Sequence, residues 1–229
     1  MEQIDTDMAA SAKDTAEGLR EGPDGRPRCA WSTVDDRHLR YHDEEWGRPV
    51  AEDDRLYEKV CLEGFQSGLS WRTILHRREA FREAFGGFAI DTVANLGSRD
   101  VERLLRHDGI VRNRAKIEAA IHNARRAQEL RDEAGSLGAF FRGFEPPPSA
   151  RPRTVTARWL RDNPTTEASI ALARALKSRG WKFVGPTTMY ALMQALGLVN
   201  DHVAGCALRD EVERERREFR AARAGSRGP

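Results

Sequence analysis

Apolar residues in this chain recur at helical spacing, and glycine or proline closes most of the runs. Leu56, Val60, Phe65 and Leu69 fall on roughly one face of a helix, and Asp53 or Asp54 can cap its start. Gly68 marks a break, because glycine weakens a helix interior. A second helix is expected from Ser70 through Ile74, Leu75 and Phe81 to Phe85, ended by Gly86-Gly87. Short helices follow Asp91 and Ser98, the second carrying Val101, Leu104 and Leu105. Ile117, Ile121 and Ala124 define another, and Leu137 to Phe144 one more. Ala168 to Lys177 stops at Gly180, and Pro186, at a first-turn position, opens a helix running to Gly197. No stretch alternates well enough for a sheet. The pattern predicts an all-α fold without internal repeats.

The two ends read differently from the middle. Residues 1–28 contain Gly22-Pro23-Asp24-Gly25-Arg26-Pro27 and few large apolar groups, which predicts a disordered leader. Residues 29–206 form the folded body, with Glu145 to Pro152 as a stiff connector inside it. Residues 207–229 form a charged, flexible tail, dense in arginine and glutamate, either a solvated helical extension or disorder. A chain of 229 residues is ample for a core. Its net charge of +2 permits a nucleic-acid partner without demanding one, since clustering matters more than the sum. Three cysteines are too few, and odd in number, for a disulfide framework, which favours a reducing, cytoplasmic setting. No apolar run approaches the ~20 residues that span a bilayer, so no membrane is expected.

Three constellations can carry chemistry. His202 and Cys206 are spaced so that one turn can aim both at one ion. Cys29 and His42, at the start of the body, would complete a closed Cys2His2 set. The plainer alternative is two ordinary cysteines and surface histidines. Between two helices, Asp108 to Arg114 makes a glycine-containing turn of a kind that offers backbone N–H groups to a phosphate. Arg112, Arg114 and Lys116 add positive charge there, although a plain helical hairpin with solvated arginines has the same pattern. The third is Cys61-Leu62-Glu63-Gly64-Phe65-Gln66-Ser67-Gly68-Leu69-Ser70-Trp71. A helix that only packs seldom needs an acid, two glycines and a tryptophan so close together. Glu63 facing a cavity with Trp71 and Tyr41 would suit a flat cationic ligand, the rings stacking and the carboxylate accepting ring N–H groups. A surface glutamate beside a core tryptophan is the commoner arrangement.

These segments, with Cys29-Ala30-Trp31, Tyr41-His42-Asp43-Glu44-Glu45-Trp46-Gly47, Lys182-Phe183-Val184-Gly185-Pro186-Thr187-Thr188 and Gly197-Leu198-Val199-Asn200-Asp201-His202, resemble the bacterial 3-methyladenine DNA glycosylase I family over about residues 29 to 206. The resemblance implies a helix-hairpin-helix DNA glycosylase fold, its hairpin near Asp108 to Lys116, with Gly109, Val111, Arg112, Arg114 and Lys116 toward DNA. It implies a structural zinc held by Cys29, His42, His202 and Cys206, a clasp between the two ends of the domain. It places Glu63 as the catalytic or base-recognising acid, Tyr41 and Trp71 in the base pocket, Trp31 and Trp46 as nearby aromatics, and the Gly68-Leu69 turn at the gap left by an extruded nucleotide. The implied activity is hydrolysis of the N-glycosidic bond of 3-methyladenine in alkylated double-stranded DNA, by a monomer that does not cleave the strand. A non-catalytic zinc-stapled DNA-binding module and a glycosylase for another alkylated base are the alternatives. Where some members carry a second tyrosine, this chain has His38, which either lines the pocket or points outward.

Overall fold

The computed structural model describes residues 18–225. In chain order they form a two-stranded ribbon (β1 Leu19–Glu21, β2 Pro27–Cys29), then α1 Asp36–Glu44, α2 Asp53–Gln66, α3 Trp71–Ala84, α4 Ile90–Ala94 and α5 Ser98–Leu105. There follow α6 Arg114–Ala134, α7 Leu137–Arg142, α8 Ala157–Asp162, α9 Glu167–Ser178, α10 Pro186–Ala195 and α11 Arg209–Gly225. The fold is therefore mostly helical, as the spacing predicts, with one small ribbon added.

The chain divides into two compact units. One contains the described residues up to Pro49, Pro146–Pro164, and the described residues from Gln194 onward; the other contains Val50–Glu145 and Thr165–Met193. The proline-rich connector thus begins where the chain passes from one unit to the other.

The first unit corrects part of the leader reading and gives the tail the helical one of its two expected forms. Residues 18–28, expected in a disordered leader, pair antiparallel with Leu19 opposite Cys29 and Glu21 opposite Pro27; residues 1–17 lie outside the described residues. The ribbon is secured from far along the chain, by Ala207 N donating to Pro27 O at 2.8 Å. Arg28 is buried and donates through Nε to Asp43 at 2.9 Å and through Nη2 to Asp24 at 2.9 Å. The tail begins as a regular helix. In α11, Val212 is fully buried, Arg48 bonds to Glu211 at 2.7 Å and also to Glu215, and Arg216 donates to the carbonyls of Gly197 and Leu198 at 2.7 and 2.9 Å. A helix that buries an apolar face and pins carbonyls has reason to order.

The second unit has an aromatic core. Phe65 lies 4.6 Å from Phe81, and Phe85 stacks on Phe88 at 5.3 Å. Each such ring, fully buried, contributes roughly 2–3 kcal/mol. Tyr57 donates its hydroxyl to Ala120 O at 2.7 Å, joining α2 to α6. The end of α2 and start of α3 fall close to where the spacing puts them. Gly68 takes φ 77°, a left-handed conformation suited to glycine, and Ser70 Oγ caps α3 by accepting from Thr73 N at 3.3 Å. The other expected cap fails. Asp54 accepts from Ile90 N at 2.9 Å and Asp53 from Gly138 N at 3.3 Å, so both carboxylates tie α2 to other elements rather than to its own first turn.

Candidate functional site

In the first unit, β2 delivers Cys29, α1 delivers His42 and the loop before α11 delivers Cys206. Their donor atoms all lie within 4.8 Å of one another, and all three residues are buried. His202 comes from the same loop as Cys206, its ring centroid 4.7 Å from that of His42. Three of the four expected ligands therefore form one group able to hold a metal ion, with the fourth histidine packed against it.

The surroundings of both imidazoles suit ligand duty. His42 Nδ1 lies 2.7 Å from the Asp43 carboxylate, which can only accept, so Nδ1 carries a proton and Nε2 faces the donor group, 3.6 Å from Cys206 Sγ. His202 Nδ1 lies 2.9 Å from Asn200 Oδ1. The Asn200 amide is oriented by its Nδ2 donating to Arg209 O at 2.9 Å. That leaves His202 Nε2 buried and without a hydrogen-bond partner. Burial foremost, then the positive surroundings of His42, Arg209 and Arg48, push the His202 imidazole down to about 2, so it is neutral. The hydrogen bond between the two sulfurs separates the cysteines: it holds Cys29 as a thiol, helped by burial, and favours thiolate at Cys206 against burial. A neutral imidazole at His202 and a ready thiolate at Cys206, with His42 beside them, fit a soft divalent ion such as zinc.

Trp46 packs on this cluster, 4.7 Å from His202 and nearly parallel to His42 at 6.0 Å. Trp31 packs edge-on to Trp46 at 5.1 Å and lies 6.4 Å from Tyr41. Trp31 and Trp46, expected as aromatics near the base pocket, thus pack around the donor group. Gly47 explains the tight fit: at φ 79°, a Cβ there would stand 2.9 Å from His202 Cε1. His38 does not point outward. It is buried, with Nδ1 2.9 Å from Asp35.

In the second unit, α2 carries Glu63. Between Val60 and Phe65 this helix is buried all round, and Glu63 is only 6% exposed. Burial pushes its carboxyl up to about 8, with Lys59 opposing. Among the described residues no arginine or lysine forms an ion pair with it. Cys61 is a buried thiol pushed up to about 12 by burial. Trp71 opens α3 and is half-buried. At the turn between these helices, Leu69 is 40% exposed, and a Cβ on Gly68 would meet open space.

The α5–α6 turn is likewise in place. Gly109 packs where a Cβ would come within 2.6 Å of Ala80 Cβ, and its N–H donates to His107 Nδ1 at 3.1 Å. Asn113 caps α6 by accepting from Lys116 N at 3.1 Å. Ile110 anchors the turn in the core and Val111 is half-buried. Arg112 and Arg114 are exposed, paired with Asp108 at 2.9 Å and Glu102 at 2.6 Å. Lys116 departs from the expected DNA role. It is buried, and its ammonium donates to Phe65 O at 2.8 Å and to Ser67 O. A cation there serves the carbonyl end of α2.

Sequence reasoning overlooked Asp43 and Asn200, which orient the two histidines. The available signal was adjacency, Asp43 directly after His42 and Asn200 two residues before His202.

Residues 31–210 match the family described as methyladenine glycosylase. The chain is 46% identical over 180 residues to DNA-3-methyladenine glycosylase 1 of Escherichia coli strain K12, covering 78% of this chain and 95% of that protein. It is 41% identical to the DNA-3-methyladenine glycosylase of Haemophilus influenzae, covering 78% and 96%. A crystal structure of 3-methyladenine DNA glycosylase I is similar at a TM-score of 0.72 and 43% identity, covering 79% of this chain and 98% of that one. The Staphylococcus aureus enzyme, whose structure concerns 3-methyladenine recognition, gives a TM-score of 0.72 at 32% identity, covering 80% and 96%. The matched span takes in Glu63, the α5–α6 turn and all the expected ligands but Cys29, and the chain belongs to the methyladenine glycosylase family.

Proposed function

We propose that this protein excises 3-methyladenine from alkylated double-stranded DNA by hydrolysing the N-glycosidic bond, leaving the strand uncut. The observation that carries the reading is Glu63, a carboxyl buried without an ion-pair partner among the described residues, in a chain of this family. Methylation at adenine N3 gives the base a positive charge. Such a cation is what an uncompensated buried carboxylate lacks. Glu63 accepts hydrogen bonds from the base edge, and Trp71 supplies a ring for stacking. The relatives act on this base by name, and one solved relative is in complex with 3-methyladenine.

The chemistry asks little acid–base work of the protein. The charged base departs neutral once its glycosidic bond breaks, so no general acid need protonate it. Water completes the displacement at the sugar. The nucleotide must first leave the duplex stack. The helix-hairpin-helix turn with Gly109, Val111, Arg112 and Arg114 serves backbone phosphates, and Gly68-Leu69 serves the gap. Cys29, His42, His202 and Cys206 would hold zinc, which when bound supplies a structural clasp. The reduced, buried cysteines support a cytoplasmic setting.

The test is to incubate the protein with N3-methylated duplex DNA and identify the free bases released. 3-Methyladenine alone is expected, with strands intact. Release of a different alkylated base would redirect the substrate assignment. DNA binding without any release would replace the enzyme by a binding module.

A further inference from the structure

The segment Lys182 to Thr188 shares in the family resemblance but has no role assigned above, and its backbone is unusual. Among the described residues, the non-glycine residues in the left-handed region are Phe88 and Phe183, both at φ 57°. That conformation strains any residue with a large side chain. Phe88 is fully buried and stacked on Phe85, so packing offsets its strain. Phe183 is 37% exposed, and packing alone does not account for it. Its conformation is held from next door. Asn123, buried on α6, donates Nδ2 to Lys182 O at 2.9 Å and accepts from Lys182 N at 2.9 Å. One side-chain amide thus grips both backbone groups of the preceding residue.

The grip presents Phe183 at a defined place. It borders α2 at Gly64, where a Cβ would stand 3.5 Å from Phe183 Cβ. Phe183, Lys182, Asn123 and Lys116 line one small recess. From that recess the Lys116 ammonium reaches the carbonyls of Phe65 and Ser67, immediately before Gly68-Leu69. Two exposed apolar side chains, Leu69 and Phe183, therefore flank one lysine-organised corner, with exposed Lys182 beside them.

We propose that Phe183 is a second duplex-contacting side chain, packing its ring on the bases that lose a neighbour when the nucleotide is extruded, and that Asn123 is its positioning residue. The inference rests on the reading that the protein acts on damaged duplex. An exposed aromatic gains by stacking on a base face of any sequence. Apolar side chains held at an unstacked step are a known way to keep a duplex open. Lys182 adds phosphate attraction at the same place.

The experiment compares wild type with Phe183→Ala, Phe183→Gly, Phe183→Trp and Asn123→Ala in the full chain. Four quantities are measured: release of base from N3-methylated duplex, release from the same strand unpaired, binding of the methylated duplex, and binding of free 3-methyladenine. Glycine tolerates the backbone angle, so Phe183→Gly keeps the fold, as its melting temperature will report. Duplex release should fall about tenfold in Phe183→Ala and Phe183→Gly, less in Asn123→Ala, and recover in Phe183→Trp. Free-base binding and unpaired-strand release should stay within about twofold, since neither leaves a gap to fill. Wild-type duplex release by Phe183→Ala overturns the proposal. So does an equal loss of free-base binding, which would place the ring against the base itself. A wild-type protein that releases no base, while Phe183→Ala still weakens its binding to damaged duplex, defeats the glycosylase reading and leaves the contact standing.

Discussion

Glu58 and Glu63 lie on the same helix and are almost equally buried, at 3% and 6% exposure. Their surroundings differ entirely. Glu58 is held by Arg82 Nε at 2.7 Å and by Arg55. Glu63 has burial raising its carboxyl and only the charge of Lys59 against it. The first carboxylate is compensated by the fold, and the second is left for something the fold does not contain. A buried charge is tolerated when paired and shifts its protonation when it is not. The metal-ligand candidates extend the contrast. There each histidine has one nitrogen engaged by an oriented oxygen, and the ligand-side nitrogens converge on sulfur or stand without a partner. Function is expected where satisfaction stops one atom short.

The contrast breaks most severely at Glu58. Replacing it with alanine removes two charge-assisted hydrogen bonds at a buried position, those from Arg82 and Arg55. Stability should drop by about 3–5 kcal/mol in denaturant titrations, with the folded fraction still releasing base. Equal loss of base release by folded protein would mean that the two acids are not divided as described.

At Glu63 the sign reverses. Its folded carboxyl is raised from 4.5 to about 8, so the native state binds a proton that the unfolded state has shed. The native state therefore loses stability as pH climbs through this window. Glu63→Gln removes that loss. Its stability should match wild type below the window and exceed it above, by on the order of a few kcal/mol. The same substitution should slow base release by about 10- to 100-fold, the worth of a charge-assisted hydrogen bond.

The donor group is sharpened by Asp43→Ala, which removes the acceptor that fixes His42. Zinc affinity in a chelator competition should weaken about 10- to 100-fold, with the four donors still present. The smallest effect is expected at the hairpin. Arg112→Ala should reduce duplex affinity only a few-fold and lower the salt-dependence slope by about 1, as for the loss of one phosphate contact.

The helices on each side of Gly68 were legible because their signals are local: a face of apolar residues, a glycine at positive φ and a serine cap. The ribbon at Leu19–Cys29 and the order of α11 were not. Both depend on partners far along the chain, Ala207 for Pro27 and Arg48 for Glu211. Lys116 misled for the same reason. Its position in a basic turn suggested a phosphate, and only the fold reveals the carbonyls of Phe65 and Ser67 within its reach. The metal ligands and Glu63 were recognisable as residue types in unusual company. Spacing could not show that Trp46 packs on the histidines, or that Glu63 is buried without an ion pair among the described residues.

The carboxyl of Glu63 can be observed directly. Carbon NMR of protein labelled at the glutamate side chains, with the signal assigned by its disappearance in Glu63→Gln, gives its titration in the ligand-free protein. A midpoint near 8 is predicted, the mark of a carboxylate buried without an ion-pair partner. A midpoint near the ordinary 4.5 would mean that Glu63 is already solvated or paired, and would contradict its role as the acid awaiting a cationic base.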